Sequence, residues 1–276
     1  MIKDIVVNLS LGDSRDPAAE FAVSAAAALD AHLAGVAFLY DPFVPAMDMG
    51  AIPSDLIEIQ RVESERLAAD AIARFNEVAR RNGISAEARN IEAASSLASD
   101  TFAGIARRFD LSVVSQPRPE SSGSDAMFVE AALFGSGRPL LIVPYIQQAG
   151  FKLDRVLVCW DGSRTAARAT ADALPLLAKA GTTEVITVTD GAGDQDEIPG
   201  FDIAQHLARH GIKVELKRIV RGDVDVPNII LSHAADTSAD LIVMGGYGHS
   251  RLREFVLGGA TRGLLQSMTV PTFMSH

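Results

Sequence analysis

The sequence predicts an α/β fold built twice in tandem, and three observations carry that reading. Short apolar, β-branched runs alternate with amphipathic helical stretches along all 276 residues, the pattern of parallel strands covered by helices on both faces. The alternation restarts near residue 152, with local sequence repeated. A glycine cluster, Gly245-Gly246-Tyr247-Gly248, follows the apolar run Leu241 to Met244 and precedes a second pair, Gly258-Gly259. Glycines that let backbone approach a ligand, set before a helix N-terminus, suit an anion.

The first half opens with Ile5 to Leu9, a strand. Asp13 and Asp16 lie in the loop that follows, and Pro17 opens a helix expected to reach about His32. Ala34 to Tyr40 reads as a second strand and Asp41 to Pro53 as a loop. Asp55 to Asn82 is a long amphipathic helix that Gly83 closes. Ala86 to Ile91, Leu111 to Ser115 and Leu140 to Pro144 complete the strands, with a helix from Ser95 to Phe109. In the second half, strands are expected at Arg155 to Trp160, Glu184 to Thr189, Ile212 to Val220 and Leu241 to Met244. Helices fall at Arg164 to Ala180 with a Gly181 cap, Phe201 to His210, Val226 to Thr237 and Ala260 to Ser267.

Two pairs of segments make the restart a duplication. Asn82-Gly-Ile-Ser-Ala-Glu-Ala-Arg-Asn-Ile matches His210-Gly-Ile-Lys-Val-Glu-Leu-Lys-Arg-Ile, and Phe109-Asp-Leu-Ser-Val-Val-Ser matches Ala239-Asp-Leu-Ile-Val-Met-Gly. The boundary falls in the polar stretch Ile146 to Lys152, giving domains 1–146 and 152–276. The copies are unequal. Ser115 and Arg118 stand where the second copy has Gly245 and Gly248, and Pro117 and Pro119 lack the amide donors a phosphate needs. The first copy therefore reads as having no anion site.

Composition narrows the function. Net charge is −10, which argues against nucleic acid or an anionic membrane surface as partner. No apolar run approaches the ~18 residues of a membrane span. The N-terminus runs directly into a strand pattern and does not read as a signal peptide. A lone cysteine, Cys159, excludes an intrachain disulfide and points to the cytoplasm, and its place in a strand makes it a small buried hydrophobe.

The spacing Gly245-x2-Gly248-x9-Gly258 resembles the nucleotide-binding motif of the universal stress protein family, and the resemblance covers nearly the whole chain as a tandem member. The family has Ser or Thr directly after the last glycine. This chain has Gly259 there, with Thr261 two residues on. The resemblance implies two Rossmann-like (adenine nucleotide alpha hydrolase-like) domains, each a five-stranded parallel sheet of order 3-2-1-4-5 flanked by helices. A ligand then belongs at the carboxyl ends of strands one and four, the topological switch point. It also implies ATP or a related adenine nucleotide, with Mg²⁺, as ligand of the C-terminal domain. Asp161, preceded by Cys159 and Trp160, would meet the adenosine part, and Val188 and Met244 would line the adenine slot. Gly245 and Gly248 would face ribose and α-phosphate; Gly258, Gly259, Ala260 and Thr261 would hold the outer phosphates. Trp160 is larger than expected at its position, and either stacks on adenine or crowds it. The halves would pack as a pseudo-dimer in the manner of family dimers, which could pair again as a homodimer.

Each of these residues also has a plainer reading. Asp161-Gly-Ser163 suits a helix N-cap, Val188 and Met244 suit a core, and His249, able to donate to a phosphate, suits an exposed loop. His206 and His210 have the spacing of a metal pair but no Glu between them in the manner of zinc peptidases, so no metal is expected. No P-loop lysine and no nucleophile elbow occur. The sequence therefore points to a nucleotide-responsive stress or regulatory protein, without catalytic residues and with at most slow ATP hydrolysis. The alternative is an interaction module that acts through an unknown protein partner without nucleotide.

Overall fold

The computed structural model describes residues 1–40, 54–118, 124–191, 202–246 and 259–276. The N-terminal half holds β1 (Asp4–Asn8), α1 (Pro17–Leu29), β2 (His32–Tyr40), α2 (Ser54–Arg81), β3 (Ala86–Ala93), α3 (Ala98–Ala106), β4 (Leu111–Ser115), α4 (Ser124–Gly135) and β5 (Leu140–Val143). The C-terminal half holds β6 (Arg155–Cys159), α5 (Arg164–Leu177), β7 (Thr182–Thr189), α6 (Ile203–Arg209), β8 (Val214–Val220), α7 (Val226–Asp236), β9 (Leu241–Gly245), α8 (Gly259–Ser267) and β10 (Thr272–Ser275).

All ten strands join one sheet of order β3-β2-β1-β4-β5-β10-β9-β6-β7-β8. Each half runs 3-2-1-4-5 in parallel, and the halves meet where β5 and β10 pair antiparallel, Phe273 opposite Leu141. The strand order is thus symmetric about the antiparallel seam. Every residue of β5 and β10 is buried, so neither strand suits an exposed edge.

One apolar layer covers each face. On the first, Val7, Val113, Val156, Val158 and Val243 meet α1, α2, α5 and α6 through residues such as Ala22, Phe75, Ala173 and Leu207. On the second, Val6, Val114, Leu157 and Ile242 meet Phe102 of α3, Phe128 of α4, Ile230 of α7 and Leu264 of α8. Strand alternation sends successive residues to opposite layers, a rule that sorts the site residues below.

The repeated Asn-Gly-Ile and His-Gly-Ile segments take the same turn. Gly83 has φ +68° and Gly211 φ +75°, and the amides of Ile84 and Ile212 each reach back to a helix carbonyl, Ala79 and Leu207, at 3.2 Å. Some boundaries differ from expectation. α1 stops at Leu29 because Asp30 adopts the left-handed conformation (φ 52°), so His32 opens β2 instead of ending a helix. α3 begins at Ala98 rather than Ser95. Gly181 does not cap α5, which ends at Leu177; a Cβ on Gly181 would lie 2.7 Å from the Asp154 carbonyl oxygen, so close approach to β6 requires the glycine. No span was expected for α4 or for β10, the fifth strand of the second half. The expected loop from Asp41 to Pro53 lies outside the described residues.

Candidate functional site

The first strands and fourth strands of each half lie side by side, with Val156 opposite Leu241 and Val158 opposite Val243 in the C-terminal half. Their carboxyl ends therefore arrive together, and the chain leaves them in opposite directions toward β7 and β10. Cys159, Trp160 and Asp161 emerge from β6 beside Met244, Gly245 and Gly246 of β9.

Burial sorts these residues by face. Met244 (7% exposed) belongs to the second apolar layer and Cys159 packs against it. Val188 shares the side of β7 that Ile186 presents to that layer. Trp160 packs against the first layer, so its ring lies on the face opposite Cys159 and Met244. There it borders a cleft of about 290 Å³ with Ala167, Thr170, Ile203 and His206. His206 and His210 have their rings 4.9 Å apart, yet among the described residues no three His, Cys, Asp or Glu groups are placed to hold a metal ion.

The Cys159 thiol is pushed up to about 12 by burial, with a smaller contribution from the negative charge of Asp161. It stays a neutral thiol, consistent with a packing role. Asp161 itself is exposed, and its Oδ1 accepts from the Ser163 amide at 2.9 Å. The cap of α5 is Ser163, whose Oγ accepts from the Ala166 amide at 3.1 Å. Asp161 thus orders the turn and leaves a carboxylate at the site's rim.

Gly245 is the tightest point. A Cβ there would lie 2.5 Å from the Ala166 nitrogen and 2.6 Å from both the Thr165 carbonyl carbon and its Oγ1. The end of β9 is pressed against the first turn of α5, and only glycine permits it. Gly246 is also confined: a Cβ would meet Leu133 of α4 at 2.6 Å, and its amide donates to Ser275 O at 2.9 Å. The backbone resumes at Gly259 and Ala260 in the first turn of α8, and Thr261 there is buried (4% exposed). Gly248, His249 and Gly258 lie outside the described residues.

The matching place in the N-terminal half is differently furnished. Ser10 Oγ lies 3.3 Å from Ser115 Oγ across the ends of β1 and β4. The Arg118 guanidinium, at the position matching Gly248, is held in two hydrogen bonds by the Asp13 carboxylate at 2.9 and 3.0 Å. Asp16 caps α1 through Ala19 N and also accepts from Ser10 N, and burial raises its carboxyl above the usual range despite those bonds. The protein's own side chains occupy the ends of these strands.

Sequence reasoning did not find Thr165, Gln116, Leu133 or His276. Aligning the two copies through their fourth strands would have placed Gln116 opposite Gly246; no sequence signal places Leu133 or His276 beside it.

Fold and site together define a tandem protein of doubly wound open sheets, with one half keeping a glycine-built switch point. The universal stress protein family model matches residues 152–276. A universal stress protein of Synechocystis is 28% identical over 143 residues, 49% of this chain; the match spans 45% of that protein's length, less than half. A crystal structure of a universal stress protein from Archaeoglobus fulgidus superposes with a TM-score of 0.71 over 99% of this chain and 96% of its own, at 16% identity. A functionally unknown protein from Pseudomonas aeruginosa gives 0.60 over 99% and 92%, at 14% identity. At those identities the structural likeness speaks for the fold alone. The family match therefore identifies residues 152–276 as a universal stress protein domain.

Proposed function

We propose that the domain 152–276 binds an adenine nucleotide, ATP with Mg²⁺, while the domain 1–146 is a scaffold whose equivalent place is filled by its own side chains. The observation that carries this reading is the Cβ-free end of β9 against α5, beside the end of β6 that leads to the exposed Asp161 carboxylate, with α8 the next helix in the chain. Such a place suits a polar ligand with a phosphate tail, with a carboxylate for ribose or base and a helix N-terminus for negative charge. Cys159, Val188 and Met244 supply the apolar side toward the base; Trp160, on the other face, supports α5 and α6. Gly248, Gly258, Gly259, Ala260 and Thr261 surround the phosphates, and His249 donates to them. Mg²⁺ would arrive with those phosphates. The activity is binding and response in the cytoplasm, with hydrolysis at most slow.

Purified protein titrated with ATP and Mg²⁺ in a calorimeter tests the reading, together with release and mass-spectrometric identification of any co-purified small molecule. Wild type should bind one nucleotide per chain, and Gly248→Asp should lose that binding with an unchanged circular-dichroism spectrum. A wild-type protein that neither carries nor binds adenine nucleotide defeats the proposal and favours a module acting through a protein partner.

A further inference from the structure

Copy one reaches across the seam at the end of β9 and at the C-terminal end of α8. At the first end, Leu133 of α4 fills the space left by the missing Cβ of Gly246. The Gly246 carbonyl lies 3.0 Å from His276 Nδ1, whose ring stands edge-on to Phe134 at 4.8 Å. At the other end, the Gln116 side chain, in a residue only 1% exposed, donates from Nε2 to the Leu265 carbonyl of α8 at 2.8 Å. Its Oε1 accepts from the Tyr145 amide at 3.3 Å, which fixes which end of the amide faces α8.

Helix chemistry explains why that donor is needed. Leu265 lies in the last turn of α8, where carbonyls have no amide one turn on. Its counterpart α4 ends at Gly135, and the next residue, Ser136, bonds the Ala132 carbonyl through its Oγ within its own copy. Leu140 of β5 lies opposite Ser112 of β4, and Thr272 of β10 lies opposite Ile242, the matching residue of β9, so Leu140 corresponds to Thr272 and Ser136 to Met268. Met268 is buried (2% exposed) and has no hydroxyl to offer. Met268 thus offers no such bond to the matching carbonyl, Leu264, and the donor that Gln116 brings from the first copy falls one residue on, at Leu265.

We propose that Gln116 is a positioning residue for the C-terminal site, clamping α8 from the other domain so that its N-terminal turn is held toward the phosphates. This rests on the nucleotide reading above. The seam then couples the C-terminal site to the first copy, since Gln116, just after β4, holds α8 and Leu133 of α4 packs on Gly246.

The test compares two ligands on folded, full-length protein. ATP with Mg²⁺ uses α8, whereas adenosine, lacking phosphates, does not. Gln116→Met keeps the volume and removes the donor. It should weaken ATP binding about tenfold, equivalent to ~1.4 kcal/mol, and leave adenosine binding within about twofold. Gln116→Glu, which keeps shape but aims no N–H at Leu265 when ionised, should show the same selective loss if the Met variant does not fold. A purely structural role would weaken both ligands together or neither. Equal affinities in wild type and variant, or parallel loss of both ligands, overturns the positioning role and leaves the nucleotide reading standing. A wild type that binds neither ligand removes both proposals at once.

Discussion

Replacing Gly245 by alanine adds one methyl group at the most crowded point of the C-terminal site. Its Cβ would lie 2.5 Å from the Ala166 nitrogen and 2.6 Å from the Thr165 carbonyl carbon, backbone atoms in the first turn of α5. Real Cβ contacts essentially never fall below 3.0 Å, so β9 and α5 must separate by at least half an ångström. Flexible side chains cannot absorb this, because α5 is anchored by the fully buried Ala169, Ala173 and Leu176. Overpacking of this kind costs about 1–3 kcal/mol, and clash with backbone places it near the upper end. Against that, alanine narrows the unfolded ensemble by about 0.4–1 kcal/mol. The net expectation is a loss of about 2 kcal/mol, or a Tm lower by roughly 4–8 °C for a chain of this size. Gly104, inside α3 with nothing within 4 Å of a built Cβ, is the matched control. Its change to alanine should raise stability by up to about 1 kcal/mol. Thermal unfolding followed by far-UV circular dichroism reads both. If Gly245→Ala melts at or above wild type, the close approach of β9 to α5 is not what selects the glycine, and the site geometry derived from it fails.

Cys159 should resist alkylation. With its thiol near 12, the thiolate fraction at pH 8 is about one part in ten thousand, so iodoacetamide should label the native protein far more slowly than the urea-unfolded one. Rapid native labelling would contradict its burial. The sign of the linked stability follows from a folded value raised above the unfolded one near 9: the contribution is whole below pH 9 and is lost as pH rises toward 12. A Cys159→Ala variant should flatten that alkaline part of the stability curve, and an unchanged slope would count against it. Glu184 and His233 form a largely enclosed pair at 3.0 Å, with Arg155 3.8 Å from the other carboxylate oxygen. His233→Ala strands a buried carboxylate and should cost about 3 kcal/mol, measured by urea denaturation; a cost under about 0.5 kcal/mol, the size expected of a surface change, would show the pair to be solvated.

The two halves furnish the same switch point of one fold differently. Where the second copy has Gly245 and a short four-residue turn into α5, the first has Ser115 and a longer loop ending at Asp16. The added length brings Asp13 to Arg118 and lets the protein satisfy its own polar groups at the strand ends.

Periodicity and duplication were enough to read the α/β class, the parallel strands within each half and the turns at Gly83 and Gly211, because those depend on local pattern and on backbone freedom. The glycines of the motif were legible for the same reason. What sequence left open was decided by contacts between residues far apart in the chain. β10 is too short and too uniformly buried to show a period, and it exists as a strand because β5 and β9 flank it. α4 carries apolar residues all around and has no clear stripe to read. Trp160 lies opposite Cys159 because strand pleat assigns neighbours to different faces, and which face holds which helix is a matter of topology. Gly245 looks in sequence like a place for a ligand; in the fold it is first a place for α5. Gln116 reads as an ordinary polar residue after a strand until the antiparallel seam brings α8 within 2.8 Å of its amide, 149 residues away along the chain. Local physics can be read residue by residue, but the pairing of two copies depends on burial that neither copy achieves alone.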